Sequence, residues 1–489
     1  MYPLACALVG LCLGQSPVTD TIALKPGQMD GWQGEGYYLT ASTGRGPGRS
    51  WGACTSDSDT PGRKGQLSRT FTVPDNAGLL RCRAFLNLAP SCVADHRLDV
   101  VLIDEARLAV PKQMYTSSGW VAATGLLPRW QGLPRDYSWD LSMHRGRTLK
   151  LIIRDQDDRP GCHVYAGGFH FQASTPITDT DFPKYMLTLQ EKHKLPLMDR
   201  YDSKRFTAIS NASEKFTRQH LKYCEIFYDL FLNHFRGRGF KVDPPAGKRL
   251  MLAVFCEPKG FEAYLGRPMP AGITGVYHTP SNRLVLYDLS QNAYLLASRE
   301  EQLKRAEFAH PHDRLRLFDT AERRYKDLAK EVNLSTTMHE CAHLLSFNSG
   351  LLRRDGDVPV WLAEGLATYC EATDEGDWQS LGSPNPLRIQ DLRRAQGNFL
   401  SLADLMQDSW LRSPAVLLGY AQSWALYRML MEERSQSLNK FLKIVATRRV
   451  PEYRLADFRE AFGDLPALER RYRSYLNDLV ARYPRREAR

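Results

Sequence analysis

The chain has 489 residues, 43% of them hydrophobic and 25% charged, a balance that excludes a disordered or fibrous protein and leaves room for two or three ordinary cores. Past the first dozen or so residues no apolar run is long enough to cross a bilayer, which speaks against an integral membrane protein. The formal net charge of +10 is spread over separated pairs such as Arg353-Arg354, Arg393-Arg394, Arg448-Arg449 and Arg485-Arg486; interleaved with acids and lacking a recognition signature, they read as solvated helix faces and not as a nucleic-acid surface.

Residues 1–16, MYPLACALVGLCLGQS, are apolar and end in Gly14, Gln15 and Ser16. They resemble the apolar region and cleavage site of a secretory signal, which implies a secreted, periplasmic or cell-surface protein. The usual positive charges after Met1 are missing, so a misassigned start and a buried first strand stand as alternatives. Without this segment the cysteines divide into Cys54, Cys82, Cys92 and Cys162, then Cys224, Cys256, Cys341 and Cys370. An even number in each half permits disulfides, with free buried thiols the equal alternative.

From residue 21 to 174 short strand-like runs alternate with turn signals: Gln66–Val73, Arg97–Ile103, Thr148–Ile153 and Gly167–Phe171. This spacing, without a long helical period, predicts an antiparallel β-sandwich. The stretch DLSMHRGRTLKLIIRDQDDRPGCHVYAGGFHF (140–171) resembles the closing strands of the jelly-roll modules attached to many secreted glycoside hydrolases. That resemblance implies a partner such as a glycan or a cell surface, or a module that shapes a neighbouring cleft. Trp32, Tyr37, Tyr38, Trp51, Trp120, Trp130 and Trp139 include candidate sugar platforms, although more of them read as core or loop anchors. Asp155, Asp157 and Asp158 read as a solvated acidic turn, with a calcium site as the alternative.

Residues 175–202 read as a linker, and the pattern beyond them is mixed. Arg205–Ser210 and Arg249–Phe255 are strand-like, whereas 211–236 carries Leu221, Ile226, Phe227, Leu230, Phe231 and Phe235 at helical spacing. A short helix is predicted over Phe261–Leu265. Ala271–Tyr277 and Arg283–Tyr287 form a strand pair around Pro280, Ser281 and Asn282. A charged segment, 300–330, then leads into a helix that Ser335 or the threonines would cap and Gly350 would end.

That helix contains His339, Glu340 and His343, the pattern H-E-x-x-H. Residues four apart share a helix face, so both imidazoles can address one metal ion while Glu340 reaches a water at its open position. Such a match also arises by chance, and the context decides. Past Gly356, Pro359 opens a second helix, VPVWLAEGLATYCE, on which Glu364 supplies the third ligand. Glu371, seven residues on, returns to that face and can orient a ligand histidine; an exposed carboxylate near the helix end is the alternative. Two histidines, one carboxylate and an open position suit Zn2+; the same set also serves non-haem iron, but the helical spacing and the interposed Glu340 favour zinc.

HECAH followed by WLAEGLATYCE resembles the gluzincin peptidases, above all the aminopeptidase-N and leukotriene-hydrolase type. TTMHECAHLLSFNSG…VPVWLAEGLATYCE is similar to a set of bacterial exported proteins with a peptidase-MA-like domain, over about residue 205 to the end. With the front resemblance it implies a multidomain chain: an all-β jelly-roll sandwich (21–174), then, from the gluzincin resemblance, an α+β thermolysin-like catalytic domain (203–489) with a helical C-terminal lobe. It implies that Ala271–Tyr277 is the edge strand that holds extended substrate, and that a tyrosine near the metal steadies an oxyanion. Tyr420, in SPAVLLGYAQSWALYRML, is the candidate, with Tyr427 and Tyr369 as fallbacks; an aromatic stripe in the core is the alternative. The expected function is a zinc metallopeptidase acting on a peptide or protein, with Glu340 as general base. The alternatives are a surface glycan- or protein-binding protein with an inactive domain and a metallohydrolase for another substrate. The G-x-M-E-N segment of aminopeptidases is missing, so an exopeptidase is not implied.

Overall fold

The computed structural model describes residues 17–22, 24, 29, 31–41, 51–54, 64–75, 77–88, 98–103, 110, 112–116, 119–122, 135–141, 144–155 and 162–173, then 178–483 without 246, 266–268, 270–272, 280, 355–356, 372–380 and 449–452. The signal-like residues 1–16, Cys92, Trp130, Asp157, Asp158, Ala271, Pro280, Gly356 and Arg485-Arg486 lie outside the described residues, as do the side chains of Tyr38, Trp51, Trp120 and Cys162.

The first part of the chain is all strand. In chain order these are β1 (Pro17–Thr21), β2 (Trp32–Glu35), β3 (Tyr38–Ala41), β4 (Trp51–Cys54), β5 (Gly65–Thr72), β6 (Ala77–Leu88), β7 (Leu98–Ile103), β8 (Lys112–Thr116), β9 (Gly119–Ala122), β10 (Arg135–Asp140), β11 (Thr148–Asp155) and β12 (Cys162–Ala173). They make two sheets, β3-β4-β12-β6-β10-β8-β9 with β1 beside β12, and β2-β5-β11-β7. Period-two alternation puts Leu149, Leu151 and Ile153 of β11 into the same core as Leu80 and Ala84 of β6 and Val164 of β12, so the two sheets face each other as a sandwich.

That core corrects two expectations. Trp139 is fully buried and Trp32 packs against Phe169 with ring centroids 5.9 Å apart, so both are core residues and not sugar platforms. Tyr37 is partly buried, its hydroxyl donating to Gly65 O at 3.4 Å. Asp155 is no solvated turn residue: it is the buried last residue of β11, in register with Gly65 and Leu98.

Within 175–202, expected as linker, the structure places α1 (Phe182–His193) and β13 (Asp199–Asp202). β13 joins β14 (Phe206–Ser210), β15 (Leu250–Phe255), β16 (Gly275–His278) and β17 (Arg283–Tyr287) in a five-stranded sheet of order β13-β14-β15-β17-β16. β14, β15 and β17 are parallel; β13 and β16 close the two edges antiparallel. Both faces are covered, which is why LMLAVF in β15 is apolar throughout. Phe206, Leu252 and Leu284 point toward α2 (Glu214–Gly237), and Ile209, Ala253 and Val285 toward α1 and α3 (Pro258–Leu265). Ser213 caps α2 by accepting from Phe216 N at 3.2 Å.

The rest is helical. The charged segment is a helical hairpin of α4 (Ala293–Glu307) and the first half of α5 (Pro311–Asn348). The metal-motif helix therefore starts at Pro311, and Ser335, expected as its cap, lies buried in its middle. Pro311 can open a helix because its missing N–H has no partner to lose there, and good helix formers then carry it unbroken. Gly350, at φ +81, follows its end as expected. Next come α6 (Val360–Tyr369), α7 (Pro386–Arg394), α8 (Leu402–Met406), α9 (Val416–Glu433), α10 (Ser435–Val445), α11 (Arg454–Phe462) and α12 (Leu465–Arg482). Among the described residues no helix is long and apolar enough to cross a membrane. The four cysteines of this half, Cys224, Cys256, Cys341 and Cys370, are all free thiols.

Candidate metal centre

α5 and α6 bring the motif residues together. The second half of α5, from Val332, is buried, and α6 is buried on every side, its sequence VWLAEGLATY carrying only Glu364 as a charge. A buried helix of this kind needs its first N–H groups satisfied, and Pro359 offers no side-chain cap. Asp408 Oδ1 accepts Val360 N–H at 3.1 Å, and Arg454 joins Asp408 Oδ2 (2.8 Å) to Asp357 (2.6 and 2.8 Å). This buried ion cluster holds the N-terminus of α6. Further along, Gly365 lets α9 approach: a Cβ there would lie 2.6 Å from Ser423 O.

His339, His343 and Glu364 are all buried, and their ligand atoms lie within 4.8 Å of one another. Nε2 of His339 is 3.2 Å from Glu364 Oε2 and 3.2 Å from Nε2 of His343, and His343 Nε2 is 3.6 Å from Glu364 Oε1. Ligands about 2.0–2.1 Å from a tetrahedral zinc stand about 3.3 Å from each other, so the spacing fits a three-ligand site. The chemistry fits as well. Burial pushes the Glu364 carboxyl up, but the adjoining imidazoles, His343 first and then His339, outweigh it and hold it at about 2. Among the described residues Glu364 Oε1 is buried without a hydrogen-bond partner. A buried, ionised carboxylate grouped with two imidazole nitrogens is a donor set suited to a cation.

Glu371 reaches the same place by another route than helical periodicity. α6 ends at Tyr369, and Glu371 lies one residue past the C-cap, Cys370. Its Oε1 nevertheless accepts from His339 Nδ1 at 2.9 Å. Burial raises the Glu371 carboxyl, but the Arg388 charge and the His339 hydrogen bond bring it below its ordinary value. The carboxylate accepts only, so Nδ1 of His339 carries a proton, and the neutral ring then keeps the Nε2 lone pair for a cation shared with Glu364 and His343.

Glu340 is held by the sheet. Its Oε2 accepts Tyr277 N–H at 2.6 Å, from the sheet-edge strand β16, and among the described residues its Oε1 is buried without a partner. The close approach of β16 to α5 depends on Gly275, where a Cβ would lie 2.6 Å from Thr336 Cγ2 and 3.0 Å from Glu340 Cγ. Asn282 in the β16–β17 turn, exchanging amide hydrogen bonds with Asn348 of α5 at 2.7 and 2.9 Å, ties down the other end. The Tyr277 ring stacks beside His343 and Phe347, at 6.4 and 5.4 Å.

Tyr420 is buried on α9; its ring meets Trp410 edge-on at 5.6 Å and lies 5.6 Å from the Arg388 guanidinium, the group that also contacts Glu371. Of the fallbacks, Tyr369 bonds His234 at 3.0 Å, and the Tyr427 hydroxyl is buried without a hydrogen-bond partner among the described residues. The residues that sequence reasoning missed are Asn385, Arg388, Gly275 and the Tyr277 amide. Asn385-Pro386 was open to reading as a helix start; a backbone amide at a sheet edge leaves no trace in composition.

A family model described as a protein of unknown function (DUF1570) matches residues 333–451, from the middle of α5 past the end of α10. No curated protein matches. Among solved structures the chain is similar to the K2 cleaved adhesin domain of Lys-gingipain (8% identity, 32% of this chain and 99% of that one, TM-score 0.20). It is similar also to TmCBM27, a carbohydrate-binding module described for mannan recognition (8%, 31% and 93%, 0.18). A functionally unknown conserved protein from Bacillus anthracis str. Ames is matched over 83% of this chain and 72% of that one, at 9% identity and TM-score 0.24. Likenesses this slight assign no activity.

Proposed function

We propose that this chain is a zinc-dependent metallopeptidase of the gluzincin type, with a thermolysin-like catalytic part after residue 203. The observation that carries the reading is the convergence of three buried ligand atoms on one point beside a carboxylate, Glu340, with one oxygen fixed and the other unpartnered. His339, His343 and Glu364 would hold the metal, which when bound supplies a Lewis acid for a carbonyl and lowers the pKa of water. Glu340 Oε1 takes the proton from the attacking water and returns it to the leaving amine, while Tyr277 N–H keeps the carboxylate aimed. The free edge of β16 offers backbone groups to an extended peptide. The Tyr420 hydroxyl is assigned to steadying the oxyanion. For the N-terminal sandwich we read a jelly-roll module of an exported protein, with a glycan or cell surface as its partner.

The test is Glu340→Gln, assayed on a mixed peptide library beside the native chain. The reading expects retained metal and loss of nearly all chelator-sensitive hydrolysis. Native turnover in the variant sinks the assignment; metal without cleavage in the native chain moves the reading to a hydrolase for another substrate.

A further inference from the structure

We propose that Asn385 and Arg388, at the cap and first turn of α7, are positioning residues of the metal centre, acting on His339 through Glu371. The inference rests on the metal reading above and concerns what keeps the site in order.

Glu371 sits beyond the end of α6, and its backbone N–H reaches only Thr368 O, at 3.3 Å. A helical ladder therefore does not fix it; α7 does. Arg388 Nη2 donates to Oε1 at 3.2 Å, the oxygen that also receives His339 Nδ1, and Asn385 Nδ2 donates to Oε2 at 2.6 Å. The Asn385 amide cannot turn over, because its Oδ1 caps α7 by accepting Leu387 N and Arg388 N at 3.1 and 3.3 Å. Arg388 is 3% exposed. A cation buried that deeply has lost its hydration and is held by a fixed anion, so the pair locks both partners.

The consequence reaches the ligands. Glu371 sets the tautomer and ring plane of His339, whereas among the described residues His343 Nδ1 is buried with no hydrogen-bond partner. Among the described residues His339 is thus the histidine held from behind, and the order of the site depends on the α7 clamp.

The experiment measures zinc affinity by chelator competition, the visible spectrum of the Co2+-substituted protein, and thermal unfolding of the metal-stripped protein. It compares the native chain with Arg388→Gln, Arg388→Lys, Asn385→Ala and Leu392→Ala, the last a buried α7 residue used as a structural control. Arg388→Gln is expected to weaken zinc by about 10- to 100-fold and to change the cobalt spectrum, with Arg388→Lys restoring part of both. Leu392→Ala is expected to lower thermal stability and leave zinc affinity within about twofold. The inference is overturned if Arg388→Gln binds zinc like the native chain, or if Leu392→Ala weakens zinc as much. Should Arg388→Gln fail to fold, Asn385→Ala tests the same carboxylate through its other oxygen, and native zinc affinity there also overturns the inference. A native chain that binds no zinc defeats the metal reading itself, and shows it before any variant is made.

Discussion

Replacing Gly365 by alanine adds one methyl group next to Glu364, on the face of α6 that meets α9. The new Cβ would stand 2.6 Å from Ser423 O and 3.0 Å from Tyr427 Cβ, whereas ordinary contact begins near 3.4 Å. Ser423 O is helix backbone and cannot swing aside, so α6 must retreat by about 0.8 Å, the difference between 3.4 and 2.6 Å. Two stability effects oppose each other. Overpacking costs about 1–3 kcal/mol, and alanine in a helix recovers about 1 kcal/mol over glycine, so a net loss of roughly 0–2 kcal/mol follows. The metal site is less forgiving, because ligand distances tolerate only about 0.2 Å. Zinc affinity should thus fall tenfold or more, on the order of the loss when a ligand's support is removed, while the metal-free protein stays folded. Chelator competition measures the first and chemical denaturation the second. A variant that keeps native zinc affinity and gains stability would refute the claim that α6–α9 packing places Glu364.

Gly275→Ala should separate catalysis from metal binding. Its Cβ meets only side-chain atoms, those of Thr336, Leu286 and Glu340, so the sheet survives but Glu340 is pushed from Tyr277 N–H; peptide hydrolysis should drop about 10²-fold with zinc content unchanged, and unchanged hydrolysis would contradict the role given to β16. His220 predicts part of the acid response. Its Nδ1 donates to Phe216 O at 2.7 Å, and burial lowers its pKa from 6.5 to about 4. Between those values the unfolded chain holds the extra proton, so stability falls as pH falls from 6.5 to 4, by up to about 3 kcal/mol. Denaturant titrations at the two ends of that window should show His220→Phe losing correspondingly less than the native chain; an identical loss would rule this source out.

The candidate metal site is legible because its residues follow a helical period. His339 and His343 sit one turn apart, and Glu364 follows a proline that opens the next helix. Helical period places Glu371 on the face of Glu364, but the residue lies past the end of α6, and Arg388 and Asn385, distant in sequence, bring its carboxylate to His339. Strands in the second half were read from continuous apolar runs such as LMLAVF, since both faces of that sheet are covered. β13 and α1 were read as linker because DRYD has no apolar alternation, three of its four residues being exposed, and α1 buries only Phe182, Met186 and Leu189. In the sandwich, Trp32 and Trp139 looked like candidate platforms because composition cannot tell an inward from an outward aromatic; register decides, and it turns both inward.

The central claim is that His339, His343 and Glu364 bind one zinc ion. Metal content by mass spectrometry on the purified chain, run beside Glu364→Ala after equal dialysis, tests it most directly. Close to one zinc per chain is expected in the native protein, with a large loss in the variant. A native chain that stays free of metal after zinc is supplied, or a variant that retains it, would contradict the account.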